Sequence, residues 1–135
     1  MSFLFFVTPS DKTGKAIMQA IKTRFPDENV DCCATANSLA LKLSEQHNDE
    51  KVAILVPADE EELIDIYSMQ DLFNGVPVML VLPKRDKFVE AMGHRLKPRF
   101  TIYKDNSVVK ASSKLHDMVE SLQKLRVRGM PTIQE

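Results

Sequence analysis

Apolar residues along this chain fall alternately into short unbroken runs and longer stretches at helical spacing. Residues 3–8 form a near-continuous apolar run that reads as a buried strand, and Thr8-Pro9-Ser10-Asp11 supplies a turn and a helix cap. Ile17, Ala20, Ile21 and Phe25 then share one helical face until Pro26-Asp27-Glu28-Asn29 breaks the pattern. Residues 30–35 predict a second, weaker strand. Asn37 or Thr35 caps the helix after it, which carries Leu39, Ala40, Leu43 and His47. Residues 52–56 are a third strand. The following helix presents Leu63 and Ile66, with Met69 or Phe73 beyond, and Asn74-Gly75 stops it.

Residues 76–82 predict the fourth strand, and Pro83 starts a helix with Phe88, Ala91, Met92 and Leu96 turned inward and Gly93 as its weak point. Residues 99–103 predict the fifth strand, preceded by Pro98 where no ladder bond need be lost. A last helix, from about 112 to 125 and capped by Ser112 or Ser113, repeats Leu115, Met118, Val119, Leu122 and Leu125. Strands without polar alternation, each followed by an amphipathic helix, predict an α/β fold with a parallel sheet covered on both faces. Right-handed crossovers narrow the wiring to a three-layer, doubly wound (βα)5 sheet of order 2-1-3-4-5, the flavodoxin-like order. The 135 residues suit one domain, with 1–125 as its body and 126–135 as a tail or the start of a linker.

Composition changes this picture little: 44 % hydrophobic and 27 % charged residues are ordinary for a globular domain. The apolar N-terminus lacks a basic flank and a small-residue cleavage site, so it reads as a strand and not a signal peptide. No run is long enough to span a bilayer, and a cytoplasmic protein is expected. Adjacent Cys32 and Cys33 point to opposite faces of a strand, so they read as two reduced structural thiols. His47, His94 and His116 are scattered without ligand spacing, and no metal site is expected.

Charge changes it more. The net charge is −1, which carries no nucleic-acid signature. Yet residues 45–71 hold nine acids against Lys51, and residues 84–104 hold seven bases against Asp86 and Glu90. The plain reading is two solvated helical faces. The alternative is a bipolar surface whose basic side, Lys84, Arg85, Lys87, Arg95, Lys97 and Arg99, meets a partner.

In such a sheet, chemistry belongs at the C-terminal strand ends: Val7 to Asp11, Val56 to Asp59, Leu82 to Lys84, and Tyr103 to Asp105. Element order, element lengths, the fourth-strand stretch Pro77-Val78-Met79-Leu80-Val81 and Lys104 at the end of strand five together resemble the receiver domains of bacterial response regulators. The resemblance covers residues 3 to about 125. A working receiver has an acidic pair after strand one and a phosphoacceptor aspartate after strand three. It also has a hydroxyl residue after strand four and Lys-Pro after strand five. The acids hold magnesium, the aspartate attacks phosphorus, and the lysine and hydroxyl bind the phosphoryl oxygens.

Matched position by position, Val7 and Thr8 replace the acidic pair, Val56 or Pro57 the phosphoacceptor, Leu82 the hydroxyl, and Asp105 the proline; Lys104 alone matches. Asp59 arrives two residues late, and with Glu60, Glu61 and Glu62 behind it reads as a helix cap. Without the aspartates, Lys104 is expected to be solvated; the alternative is a lysine that binds an anion or reaches an acidic neighbour in a vestigial pocket. The resemblance therefore implies a degenerate receiver, a pseudo-receiver: not an enzyme, without cofactor, signalling through a protein partner or a second copy. In the family, the face of helix four, strand five and helix five often mediates such contacts.

Two other readings stand beside it. The turn Ser10-Asp11-Lys12-Thr13-Gly14-Lys15 faintly resembles the phosphate loop of flavodoxins, which would make Ser10, Thr13, Gly14 and Lys15 a flavin or phosphate site. An atypical active receiver would use Asp59 as phosphoacceptor with Asp11 and Lys104.

Overall fold

The computed structural model describes residues 2–45, 51–104 and 108–129, the last group with side chains at 110–122. His47 and Asp105 lie outside the described residues, as does the side chain of Leu125. Five strands alternate with helices: β1 (Ser2–Val7), α1 (Lys12–Arg24), β2 (Asn29–Cys33), α2 (Ala36–Ser44), β3 (Lys51–Val56), α3 (Glu60–Ser68), β4 (Val78–Leu82), α4 (Lys87–Arg95), β5 (Phe100–Tyr103) and α5 (Val108–Gly129). A 3-10 turn, Gln70–Phe73, follows α3. All pairings are parallel and the order is β2-β1-β3-β4-β5, the wiring the sequence predicts.

The unbroken apolar runs are explained by burial on both sheet faces. In β1, Phe3, Phe5 and Val7 pack under α1 and α5, while Leu4 and Phe6 pack under the layer of α2, α3 and α4. β3 alternates the same way, with Val52, Ile54 and Val56 on the first face and Ala53 and Leu55 on the second. A period of two sorts each strand between two cores.

Several boundaries differ from the sequence reading, among them the start of α4, which begins at Lys87 and not at Pro83. α5 begins at Val108, a turn before the expected Ser112, because Ala111 already belongs to the stripe it buries with Leu115, Met118 and Val119. Its backbone stays helical to Gly129, past the expected helix end at residue 125; the intervening Arg126-Val127-Arg128 contains two good helix formers whose charge suits a helix C-terminus. The helix after β3 ends at Ser68, and Phe73 is delivered to the core by the separate 3-10 turn.

The face of α4 is also rotated from the expected one. Val89, Gly93 and Leu96 are buried, at spacings of four and three, whereas Phe88 is 46 % exposed and Ala91 faces solvent. Gly93 explains the rotation. A Cβ there would sit 2.9 Å from Leu82 Cδ2 and 3.0 Å from Leu80 Cδ2, so the bare backbone lets α4 lie close on β4. The residue that weakens the helix in sequence terms is the one that seats it.

α4 stops at Leu96, and Lys97 follows in the left-handed region with φ 53°, its N–H donating to the His94 carbonyl at 3.0 Å. Glycine is the usual occupant of that position because a Cβ there is strained. Lys97→Gly is accordingly expected to raise stability by about 1 kcal/mol, read as a higher urea midpoint at unchanged m-value. An unchanged or lower midpoint would mean that the lysine side chain contributes as much as the backbone strain removes.

Candidate functional site: the strand-end crevice

At the C-terminal sheet edge, α1 leaves β1 toward one face and α3 leaves β3 toward the other, which opens the crevice of a doubly wound sheet between them. The register sets what lines it. Val7 pairs with Val56 and Leu82 with Tyr103, so continuing the β3–β4 pairing brings Thr8, Pro57, Leu82 and Tyr103 into one row at the crevice floor. Pro57 and Leu82 are buried and none of the four bears a charge. At the place a phosphoacceptor would occupy there is no nucleophile.

Among the described residues, the carboxylates of Asp11, Asp59 and Glu62 lie around this floor, and each is already engaged. Asp59 caps α3, its Oδ1 accepting the Glu62 N–H at 2.9 Å, while Glu60 and Glu61 occupy the positive end of the helix. Glu62 folds back from that first turn. Its Oε1 accepts the Ala58 N–H at 2.8 Å and its Oε2 accepts the Thr8 hydroxyl at 2.6 Å, tying the ends of β1 and β3 together. This variant of the capping box makes Glu62 a crevice residue that the sequence reading treats only as a first-turn acid. An acid three residues after an Asp cap was the available signal.

Asp11 caps α1, with Oδ1 accepting the Gly14 N–H at 3.0 Å. Its Oδ2 is in direct contact with Lys104 Nζ, and the two side chains are only 8 % and 15 % exposed. Lys104 is held in place by its own backbone, whose N–H donates to the Leu82 carbonyl at 3.0 Å. The expectation of a solvated Lys104 is thus corrected: the ammonium spans from the end of β5 to α1 because the apolar row beneath offers it no other counter-charge. Asp11 and Lys104 are brought together, whereas the hydrogen bonding of Asp59 stays within α3.

This arrangement bears on the ligands weighed from sequence. A magnesium site needs free carboxylate oxygens, and the residues here do not fit one: Val7 and Thr8 bring none, and both Asp11 oxygens are bonded. Among the described residues, no group of three or more His, Cys, Asp or Glu side chains is gathered to hold a metal. In the Ser10–Lys15 turn, Ser10, Thr13 and Lys15 are exposed, but Gly14 is buried with Val56 Cγ1 3.1 Å from where a Cβ would stand. The Asp11 carboxylate takes up the first-turn N–H, with the same charge as an incoming phosphate.

Elsewhere the sequence-derived candidates divide into two groups. Lys84 lies 3.4 Å from Glu60, and Arg85 stacks 3.9 Å above the Tyr103 ring, whose hydroxyl donates to Glu90 at 3.0 Å. Lys87 opens α4 beside them. Arg95, Lys97 and Arg99 sit at the other end of α4, around a cleft of about 470 Å³ with Asp71, Phe73 and Leu96 at the N-terminal sheet edge. The six bases therefore bracket α4 and do not form one patch. Cys32 is exposed and donates to Met18 Sδ at 3.3 Å; Cys33 is buried, and that burial raises its pKa. No helix among the described residues is long and apolar enough to cross a membrane.

No protein-family model matches the chain, and no curated protein matches its sequence significantly. Solved structures do resemble it. A CheY-like response regulator receiver domain protein from Methanospirillum hungatei JF-1 superposes with a TM-score of 0.68 at 16 % identity, over 92 % of this chain and 98 % of that one. A response regulator receiver protein from Pseudoalteromonas atlantica gives 0.64 at 14 % identity, over 89 % and 98 %. The monomethylamine corrinoid protein of Methanosarcina barkeri gives 0.62 at 10 % identity, over 87 % of this chain but 57 % of its own. The fold is that of CheY-like receiver domains.

The Asp11–Lys104 contact is testable by a double-mutant cycle in urea unfolding. Lys104→Met and Asp11→Asn are each expected to lower stability by about 2 kcal/mol, because each strands the opposite partner in a largely buried site. The double variant should lose less than the sum by at least about 1 kcal/mol. Additive losses would mean the two groups do not interact in solution.

Proposed function

We propose that this chain is a receiver-shaped signalling module of the cytoplasm that works without phosphotransfer, by contact with another protein. One observation carries the reading: the crevice is neutralised from within, since Lys104 is spent on Asp11 and the floor row holds Pro57 and Leu82 where a nucleophile and a hydroxyl would stand. Phosphoryl transfer depends on placement within fractions of an ångström, and Asp59 lies two residues past the floor with its carboxylate on a helix N-terminus. The likeness to receiver domains supports two-component signalling as the setting. Without that chemistry the surfaces of the fold remain, and the bases bracketing α4 offer one charged contact among them.

Incubation with magnesium and a small phosphodonor, followed by intact mass, is expected to show unmodified protein. An adduct that disappears in Asp59→Asn would overturn the reading. Affinity capture from native cell extract is expected to recover a protein partner, and Arg95→Glu with Lys97→Glu should weaken its retention about tenfold or more. Retention that is indifferent to these changes and to salt would remove the basic residues from the contact.

A further inference from the structure

The large apolar side chains left exposed among the described residues are Leu41, Ile64, Leu72 and Phe88, at 69 %, 43 %, 37 % and 46 %. All four lie in the layer of α2, α3 and α4 and its 3-10 turn, and none in the layer of α1 and α5. Scattered exposed apolar residues are ordinary; confinement to one face is not.

Two stripes on that face carry opposite charge. On α3 the outward residues are Glu61, Ile64, Asp65 and Ser68, and on α4 they are Lys87, Phe88, Ala91, His94 and Arg95. Each stripe follows helical spacing and sets an apolar residue among charges of one sign. Glu61, Asp65, Lys87 and Arg95 have no side-chain partner among the described residues. The helices lie side by side, each returning from the C-terminal to the N-terminal edge of the same parallel sheet, so they run in the same direction. Their N-terminal ends are level, bridged by Lys84 and Glu60 at 3.4 Å.

We propose that the α3–α4 surface binds a second copy of this chain about a two-fold axis running between and along the two helices. Such an axis lays α3 of each copy on α4 of the other. Glu61 and Asp65 then face the partner's Lys87 and Arg95, and Ile64 meets the partner's Phe88 and Ala91. An axis across the helices would instead set acid on acid and base on base. The charge pattern thus selects one of the two symmetric arrangements, and it does so twice per dimer because a two-fold contact is reciprocal. Apolar contact supplies most of the attraction, and the charges supply register. The inference rests on the reading that the bases of α4 form a partner-binding surface, and it supplies the counterpart: the acids of α3.

Sedimentation equilibrium of the full chain from about 1 µM to about 1 mM tests it, over a range that resolves weak dimers. Wild type is expected to dimerise, more weakly at high salt. Phe88→Ser and Ile64→Asp should each weaken the dimer about tenfold or more. Glu61→Lys with Asp65→Lys, and separately Lys87→Glu with Arg95→Glu, should each give folded monomers by circular dichroism. Mixed together, those two proteins should form a heterodimer, because both reciprocal contacts are then complementary again. Wild type that stays monomeric throughout, or reversed variants that fail to recombine while remaining folded, would overturn the proposal. If wild type is monomeric but still captures a different protein through Arg95 and Lys97, the module reading stands and only the second copy is excluded; a phosphate adduct would instead sink the module reading and leave the dimer to be judged by sedimentation.

Discussion

The Asp11 carboxylate satisfies two separate demands at the point where β1 gives way to α1. One oxygen takes the Gly14 N–H that the helix start would otherwise leave unpaired, and the other meets the Lys104 ammonium arriving from the far end of the sheet. Much else follows from that double engagement. Glycine suits position 14, since a Cβ would stand 2.8 Å from the same carboxylate and 3.1 Å from Val56 and would press on the Asp11 side chain that holds Lys104. Lys104 in turn joins the last strand to the first helix across two intervening strands. A contact of this kind, largely out of water, holds the crevice in one arrangement and leaves little free charge within it to recruit a ligand.

Thr8 and Glu62 close the other side of the same crevice. The Thr8 hydroxyl donates a hydrogen bond to Glu62, and Glu62 also accepts the Ala58 N–H, so the loops after β1 and β3 are fastened to each other. With Asp59 on the α3 N-terminus, the acids Asp11, Asp59 and Glu62 at the crevice floor all serve structure. An engaged carboxylate is a poor nucleophile and a poor metal ligand, because either task would first break the bonds it already makes. The receiver-like fold thus surrounds acids that are engaged in its own hydrogen bonds, and the surface over α3 and α4 is the place where opposite charges and exposed Ile64 and Phe88 come together.

The fold was legible because burial on both sheet faces writes itself as unbroken apolar runs, as in Phe3 to Val7 and Val52 to Val56. Local chemistry was legible too: the Asp59 cap is visible from the three glutamates after it, and Thr35 caps α2 as one of two expected residues. What escaped was set by tertiary contact. The sequence puts Asp11 and Lys104, 93 positions apart, in one site only through the atypical-receiver reading, and nothing in it pairs Thr8 with Glu62 across 54. The outward turn of Phe88 escaped for a different reason. A periodicity that counts apolar residues passes over glycine, and here Gly93 sets which side of α4 faces the sheet.

Amide NMR spectra recorded while magnesium and a small phosphodonor are added address the central claim, that this crevice is closed by its own charges. The account predicts that the resonances of Thr8, Asp11, Ala58, Asp59 and Lys104 stay where they are, apart from uniform ionic-strength drift. Saturable shifts confined to those residues would show an ion or phosphoryl group entering the crevice, and would contradict it.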